Sequence, residues 1–244
     1  MDKIKCVGYF EGLGAVSYVK DSFDEEMRLF KKYHQKLISE RQVAIARMGL
    51  HSTDHYLSLF GSWTIMGDLY IPKHLAGKEA IILLRNSLVL EDAEGATNAH
   101  RKRHEYLVDN DKAMDILEKA KKGSDNYLIL QSTKSIPTNR FGEEAVPIFL
   151  FGDKARDYGL WLRAKKKGRI ENWGIIKKMP LKFNSAGYIN KQAGAYANQL
   201  WLGGLLSNSS IVGNNRYLCS DRAHGVQLTA EKPAMKKGLE DKII

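Results

Sequence analysis

The sequence predicts an α+β protein of mixed helices and antiparallel sheet. Apolar residues recur at helical spacing over 23–38 and 109–122, and they alternate as in strands over 43–48 and 127–131. In addition, two apolar stretches, Ile4–Gly14 and Trp201–Ser210, carry small residues four apart, at Gly8 and Gly12 and at Gly203 and Ser207, and each runs directly into a strand-like segment. Four-residue spacing puts both small side chains on one helix face, where another helix backbone can approach closely. Gly204 widens the second seam.

The elements follow in order. The first seam leads into the strand-like Ala15–Val19. Ser22 and Glu25 match a capping box before a helix with the stripe Phe23, Met27, Phe30 and Leu37, which runs to about Glu40. Gln42–Met48 alternates as a strand, and Ser52 or Thr53 can cap a helix from Asp54 to about Phe60. Glu79–Leu90 is rich in Ile, Leu and Val and reads as a buried strand, although period alone leaves a helix open. Asp109–Lys122 is a helix stopped by Gly123, and Tyr127–Gln131 is an alternating strand. Pro147 opens a helix through 152–162, whose end is strongly basic. The second seam and the strand after it then complete the chain, apart from a short helix near Arg222–Leu228 and a basic tail.

Charge is distributed unevenly. The net charge is +10, yet residues 1–98 carry 12 Lys/Arg against 13 Asp/Glu, while residues 99–244 carry 26 against 15. One-sided basic charge suits a polyanionic partner, because neutralising phosphates releases counterions. The clusters are Arg101, Lys102 and Arg103; Lys119, Lys121 and Lys122; Arg163, Lys165, Lys166, Lys167 and Arg169; and Lys177 with Lys178. Trp161, Trp173 and Tyr106 lie beside them, which suits stacking on unpaired bases. These residues are the candidate nucleic-acid contacts.

Other chemistry is sparsely represented. Cys6 and Cys219 form neither a CxxC pair nor a disulfide framework. The pairs His51/His55 and His100/His104 have helical metal-ligand spacing, but the second sits in a cationic stretch and neither has the Glu neighbour of a zinc protease. Ser220, Asp221 and His224 lack the surroundings of a nucleophile. No metal and no cofactor is expected, and no apolar run reaches the roughly 20 residues needed to span a bilayer.

Taken together, the two seams resemble the paired motif helices of the LAGLIDADG homing endonucleases. Cys6–Ala15 fits the motif, and so does Trp201–Ser209 with Gly203 and Ser207 in the small positions. Arg216–Asp221, Val43–Met48, Thr133–Ser135 and Lys177–Pro180 resemble later landmarks of that family. The resemblance implies a LAGLIDADG-like αββαββ half-saddle with a truncated second repeat. Its parts would be a first domain over 1–160, a basic connection over 161–196, and a second motif with a truncated domain over 197–244.

In that family each motif helix ends in a metal-binding acid. Here the equivalent positions hold Leu13 and either Asn208 or Ser209, so the resemblance implies packing without catalysis. The expectation is a catalytically inactive RNA-binding protein, placed in a mitochondrial ribosome or acting as a splicing maturase, with ribosomal or intron RNA and neighbouring ribonucleoprotein chains as partners. Chloroplast and cytoplasm are the alternative locations. The alternative function is a magnesium-dependent DNA endonuclease with displaced acids such as Glu11, Asp21 or Asp221.

Overall fold

A computed structural model describes residues 4–50, 57, 61–102, 104–130, 136–165, 172–173, 175–176, 194–203, 211–213 and 222–227. Thirteen strands lie among them: β1 (Lys5–Phe10), β2 (Gly14–Lys20), β3 (Gln35–Leu37), β4 (Gly61–Ile71), β5 (Ala80–Leu84), β6 (Tyr106–Val108), β7 (Tyr127–Ile129), β8 (Ile136–Pro137), β9 (Asn172–Trp173), β10 (Ile175–Ile176), β11 (Ala195–Gly203), β12 (Ile211–Gly213) and β13 (Arg222–Gln227). The helices are α1 (Phe23–Lys32), α2 (Glu40–Gly49), α3 (Lys73–Ala76), α4 (Ala93–Arg101), α5 (Asn110–Lys121), α6 (Ala145–Phe151) and α7 (Ala155–Lys165).

β4 and β11 form the antiparallel centre of the main sheet. On its free side β4 meets β13 at its start and β5 towards its end, while β11 meets β6 at its start and β12 at its end. The path β1-β2-β13-β4-β11-β12-β10 runs across this centre, and β8 and β9 make a separate pair. Because both faces of the sheet are covered, its central strands show no clean in-out alternation. One core joins Met66, Leu83, Leu200 and Leu202 to Val43 of α2, Phe151 of α6 and Leu162 of α7. The other joins Trp63, Leu69, Ile82 and Ala197 to Phe23 of α1, Ala96 of α4 and Leu117 of α5. The molecule is therefore three layers, with helices on both faces of one mixed sheet.

This architecture corrects the half-saddle expectation. Gly8 lies inside strand β1, beside an irregularity in its pairing with β2, and Gly12 takes a φ of 71° in the turn that follows. Trp201 to Gly203 is the end of strand β11, buried on both sides, while Gly204, Ser207, Asn208 and Ser209 lie outside the described residues. The two seams are strands four positions apart in the sheet order, so Gly8 and Gly203 do not pack helix on helix. Leu13 sits in the β1–β2 turn and packs against the first core.

Two local expectations also change. Ser22 makes no side-chain cap, and α1 stops at Tyr33, before His34 takes a φ of 53° and β3 begins. The capping box is at Ser39 and Gln42 instead, and it turns the expected strand 42–48 into helix α2. Of the expected helix 54–60 only Leu57 is described. Among the described residues no helix is long and apolar enough to cross a membrane.

Candidate recognition surface at one end of the sheet

Four strands converge at the end of the sheet where β4 and β13 begin and β11 finishes. Gly203 pairs with Gly61, Leu202 with Ser62 and with Ile211 of β12, and Trp63 with both Trp201 and Ala223. The connections before β4, from β11 to β12 and from β12 to β13 all reach this end or its flank. Rigid strands that gather several connections provide a platform on which loop residues can be varied.

Buried side chains brace the platform from below. Arg47 of α2 is 1% exposed, and its guanidinium donates to the Leu57 carbonyl at 3.0 Å, the Tyr158 hydroxyl of α7 at 2.6 Å and the Leu202 carbonyl at 3.4 Å. A cation buried among neutral acceptors stays only where such donors are used well. One side chain thereby ties the approach to β4, the end of β11 and helix α7 together.

On the opposite face Trp63 packs edge-on against Trp201 at 5.1 Å and against Phe23 at 6.0 Å. The start of β13 is held by charge and hydroxyl. Glu26 of α1 accepts from the Ala223 amide at 3.0 Å and from the Asp21 amide at 3.2 Å, and the buried His224 Nδ1 lies 2.8 Å from the Ser62 hydroxyl. Ser62 in turn donates to the Trp63 carbonyl at 2.7 Å.

One step further in, a second polar cluster lies between the central strands. Thr64 contacts Glu40 of α2 and donates towards the Leu200 carbonyl, and the Gln199 amide donates to the carbonyls of Thr64 and Met66. Asn198 donates to Asp68 at 2.9 Å just beyond. Desolvation pushes the fully buried Glu40 carboxyl up to about 8, against the opposing pull of the Thr64 hydrogen bond and the Arg85 charge. None of these groups was singled out from the sequence; the one signal was a run of amide residues, Asn198-Gln199, inside an apolar strand.

The sequence-predicted basic residues are spread over several elements. Arg101, at the end of α4, contacts Asn98 at 3.0 Å and Asp24 at 3.7 Å, and Lys102 follows it as the exposed cap. On α5 Lys119 pairs with Asp115 at 2.5 Å and Lys121 with Glu118 at 2.7 Å, while Lys122 is the cap. Arg163 and Lys165 are exposed on α7. Arg103, Lys166, Lys167, Arg169, Lys177 and Lys178 lie outside the described residues, as do His51, His55, Ser220 and Asp221. Among the described residues no three His, Cys, Asp or Glu side chains gather as a metal site.

The whole three-layer arrangement is similar to a solved structure from work on the accommodation of massive sequence variation in Nanoarchaeota by the C-type lectin fold. The match has a TM-score of 0.59 at 18% identity and covers 89% of this chain and 98% of that one. The chain has a C-type lectin fold. No protein-family model and no curated protein sequence matches the chain. The C-type lectin fold overturns the LAGLIDADG resemblance, and the inactive RNA-binding ribosomal or maturase protein and the homing endonuclease inferred from it fall too. The seams that suggested that family are explained by a doubly covered central strand and a bulged edge strand, both of which tolerate small residues.

Proposed function

We propose that this chain is a non-catalytic recognition protein. It binds its ligand at the end of the sheet where β4, β11, β12 and β13 meet, and residues 204–210 and 214–221 carry the specificity. The observation that carries this reading is the contrast between frame and sequence at this end. The frame is fixed by Arg47, Trp63, Glu26 and His224, all buried, while the two connecting segments contain Ser207, Asn208, Ser209, Ser210, Asn214, Asn215, Arg216 and Tyr217. Asn, Ser, Gly and Tyr on a rigid support are the residue types of adaptable binding surfaces. The structurally similar protein is described as accommodating massive sequence variation on this fold. The same division between fixed frame and changeable surface is carried here as a proposal.

The test separates binding from folding. An array of glycans and of displayed proteins identifies a ligand, and a variant with Asn208, Asn214, Asn215 and Tyr217 replaced by alanine is compared with the wild type. The expected result is loss of binding with a melting temperature shifted by no more than about 4 °C, the effect of a small stability change in a domain of this size. Binding that survives all four substitutions, or a variant that unfolds, overturns the reading.

A further inference from the structure

The central strand pair is interrupted in one place. Gln199 is opposite Gly67 and Trp201 is opposite Trp63, so Thr64, Ile65 and Met66 of β4 face Leu200 alone. A bulge of this kind leaves backbone groups without ladder partners, and each must be satisfied elsewhere. The Ile65 amide donates to the Ile38 carbonyl at 2.9 Å, and its carbonyl accepts from the Ser87 amide at 2.9 Å. The Gln199 side chain covers the carbonyls of Thr64 and Met66, and the Leu200 carbonyl lies 3.2 Å from the Thr64 hydroxyl.

That hydroxyl is also within hydrogen-bond reach of Glu40 Oε1. A threonine hydroxyl carries one proton. If Glu40 were ionised, its oxygen and the Leu200 carbonyl would both be acceptors competing for it. Both contacts are made at once only when Glu40 donates to Thr64 and Thr64 donates to Leu200. Glu40 is 0% exposed, and its second oxygen has no partner among the described residues.

The surrounding charges do not supply an alternative. On α2, Arg41 turns outward to Asp153 at 2.7 Å, and Arg47 is occupied by two carbonyls and the Tyr158 hydroxyl. On β4, Asp68 is bonded to Asn198. On β5's edge, Arg85 donates to the carbonyls of Asp125 and Phe149 and acts on Glu40 only as a distant attraction. Helix α6 carries no ionisable side chain, and Tyr196 is the one ionisable group of β11.

We propose that Glu40 is a neutral acid in the folded protein and that its proton is the latch joining α2 to the break between β4 and β11. When base removes the proton, the Thr64 hydroxyl turns to the carboxylate, the Leu200 carbonyl loses its donor, and a charge is left in the core. Helix α2 is then loosened, and it carries Arg47, the brace of the sheet end. The inference stands on the geometry of the bulge and needs no ligand at that end.

The sign of the pH dependence follows. The folded state holds this proton more tightly than the unfolded chain, so the contribution is complete below the ordinary glutamate range and is lost as pH rises through about 8. Two measurements on the full chain test the latch. In carboxyl-labelled glutamate NMR, the resonance missing from Glu40→Gln is expected to be that of a protonated acid at neutral pH in the wild type, titrating near pH 8. Titration in the ordinary carboxylate range overturns the proposal.

In thermal melts from about pH 6 to about pH 9, the wild type is expected to lose melting temperature relative to Glu40→Gln, whose amide keeps a neutral donor to Thr64. Parallel curves for the two proteins overturn it. Should Glu40→Gln not fold, the latch is read from wild type and Thr64→Val, where the carboxyl resonance shifts because its hydroxyl partner is gone. A carboxyl resonance indifferent to Thr64→Val overturns the proposal.

Discussion

Gln199 donates its side-chain amide to the Met66 carbonyl at 3.0 Å, across the point where β11 and β4 stop pairing. The same amide reaches the Thr64 carbonyl, so one side chain closes the bulge. Replacing it with leucine keeps the volume and strands two buried carbonyls. The expected cost is about 2–4 kcal/mol in urea unfolding, since each unsatisfied buried group costs roughly 1–3 kcal/mol. Gln199→Glu is expected to be at least as damaging, because an ionised carboxylate offers acceptors where donors are required.

Arg47 is the second place where a single change reaches far. Arg47→Met removes three donors from the Leu57 carbonyl, Tyr158 and the Leu202 carbonyl. A loss of about 3 kcal/mol is expected, the scale for breaking a buried polar network. Tyr158→Phe removes one partner and is expected to cost about 1–2 kcal/mol. Hydrogen exchange distinguishes a local from a global effect: in Tyr158→Phe, protection should fall first at the end of β11.

Gly159 inverts the usual helix rule. Alanine in a helix interior is ordinarily better than glycine by about 1 kcal/mol. In α7, however, a Cβ at this position would collide with the Thr138 carbonyl and stand 2.9 Å from the Phe141 side chain. Gly159→Ala is therefore expected to destabilise by about 1–3 kcal/mol, the range for overpacking. A stabilised variant would show that the α7 contact with 138–141 yields freely.

The surface lysines of α5 are expected to matter little for stability. Lys119 and Lys121 are about half exposed, with side-chain exposures of 54% and 50%, and they pair within their own helix. Lys119→Ala and Lys121→Ala should each change unfolding free energy by no more than about 0.5 kcal/mol, and the change should shrink further in high salt. A larger loss would mean that these pairs hold α5 against the sheet.

What could be read from the sequence was what is written locally. Helix α5 is bounded by Asp109, whose side chain accepts from the Lys112 amide, and by Gly123 at a φ of 82°, and both signals lie in the chain itself. Strand β7 was legible from its alternation. The segment at Gln42–Met48 was misread because two serines fit the capping pattern and only the folded structure chooses Ser39 over Ser22.

β11 was misread for a different reason. A strand buried on both faces has no period, and Trp201-Leu202-Gly203 is as good an apolar helix face as a strand end. The platform itself depends on contacts such as Arg47 to Leu202, 155 residues apart, which no spacing rule reaches.

The bulge also divides the molecule in a practical sense. On one side of it the register is set by Trp63 against Trp201, and on the other by Asp68 against Asn198. A change of length or sequence beyond the tryptophan pair therefore need not slide the rest of the sheet, where a one-residue slip would turn every side chain to the wrong core. This makes the tryptophan side of the break a natural boundary for grafting: that end could be exchanged as a cassette while the remaining layers keep their alignment.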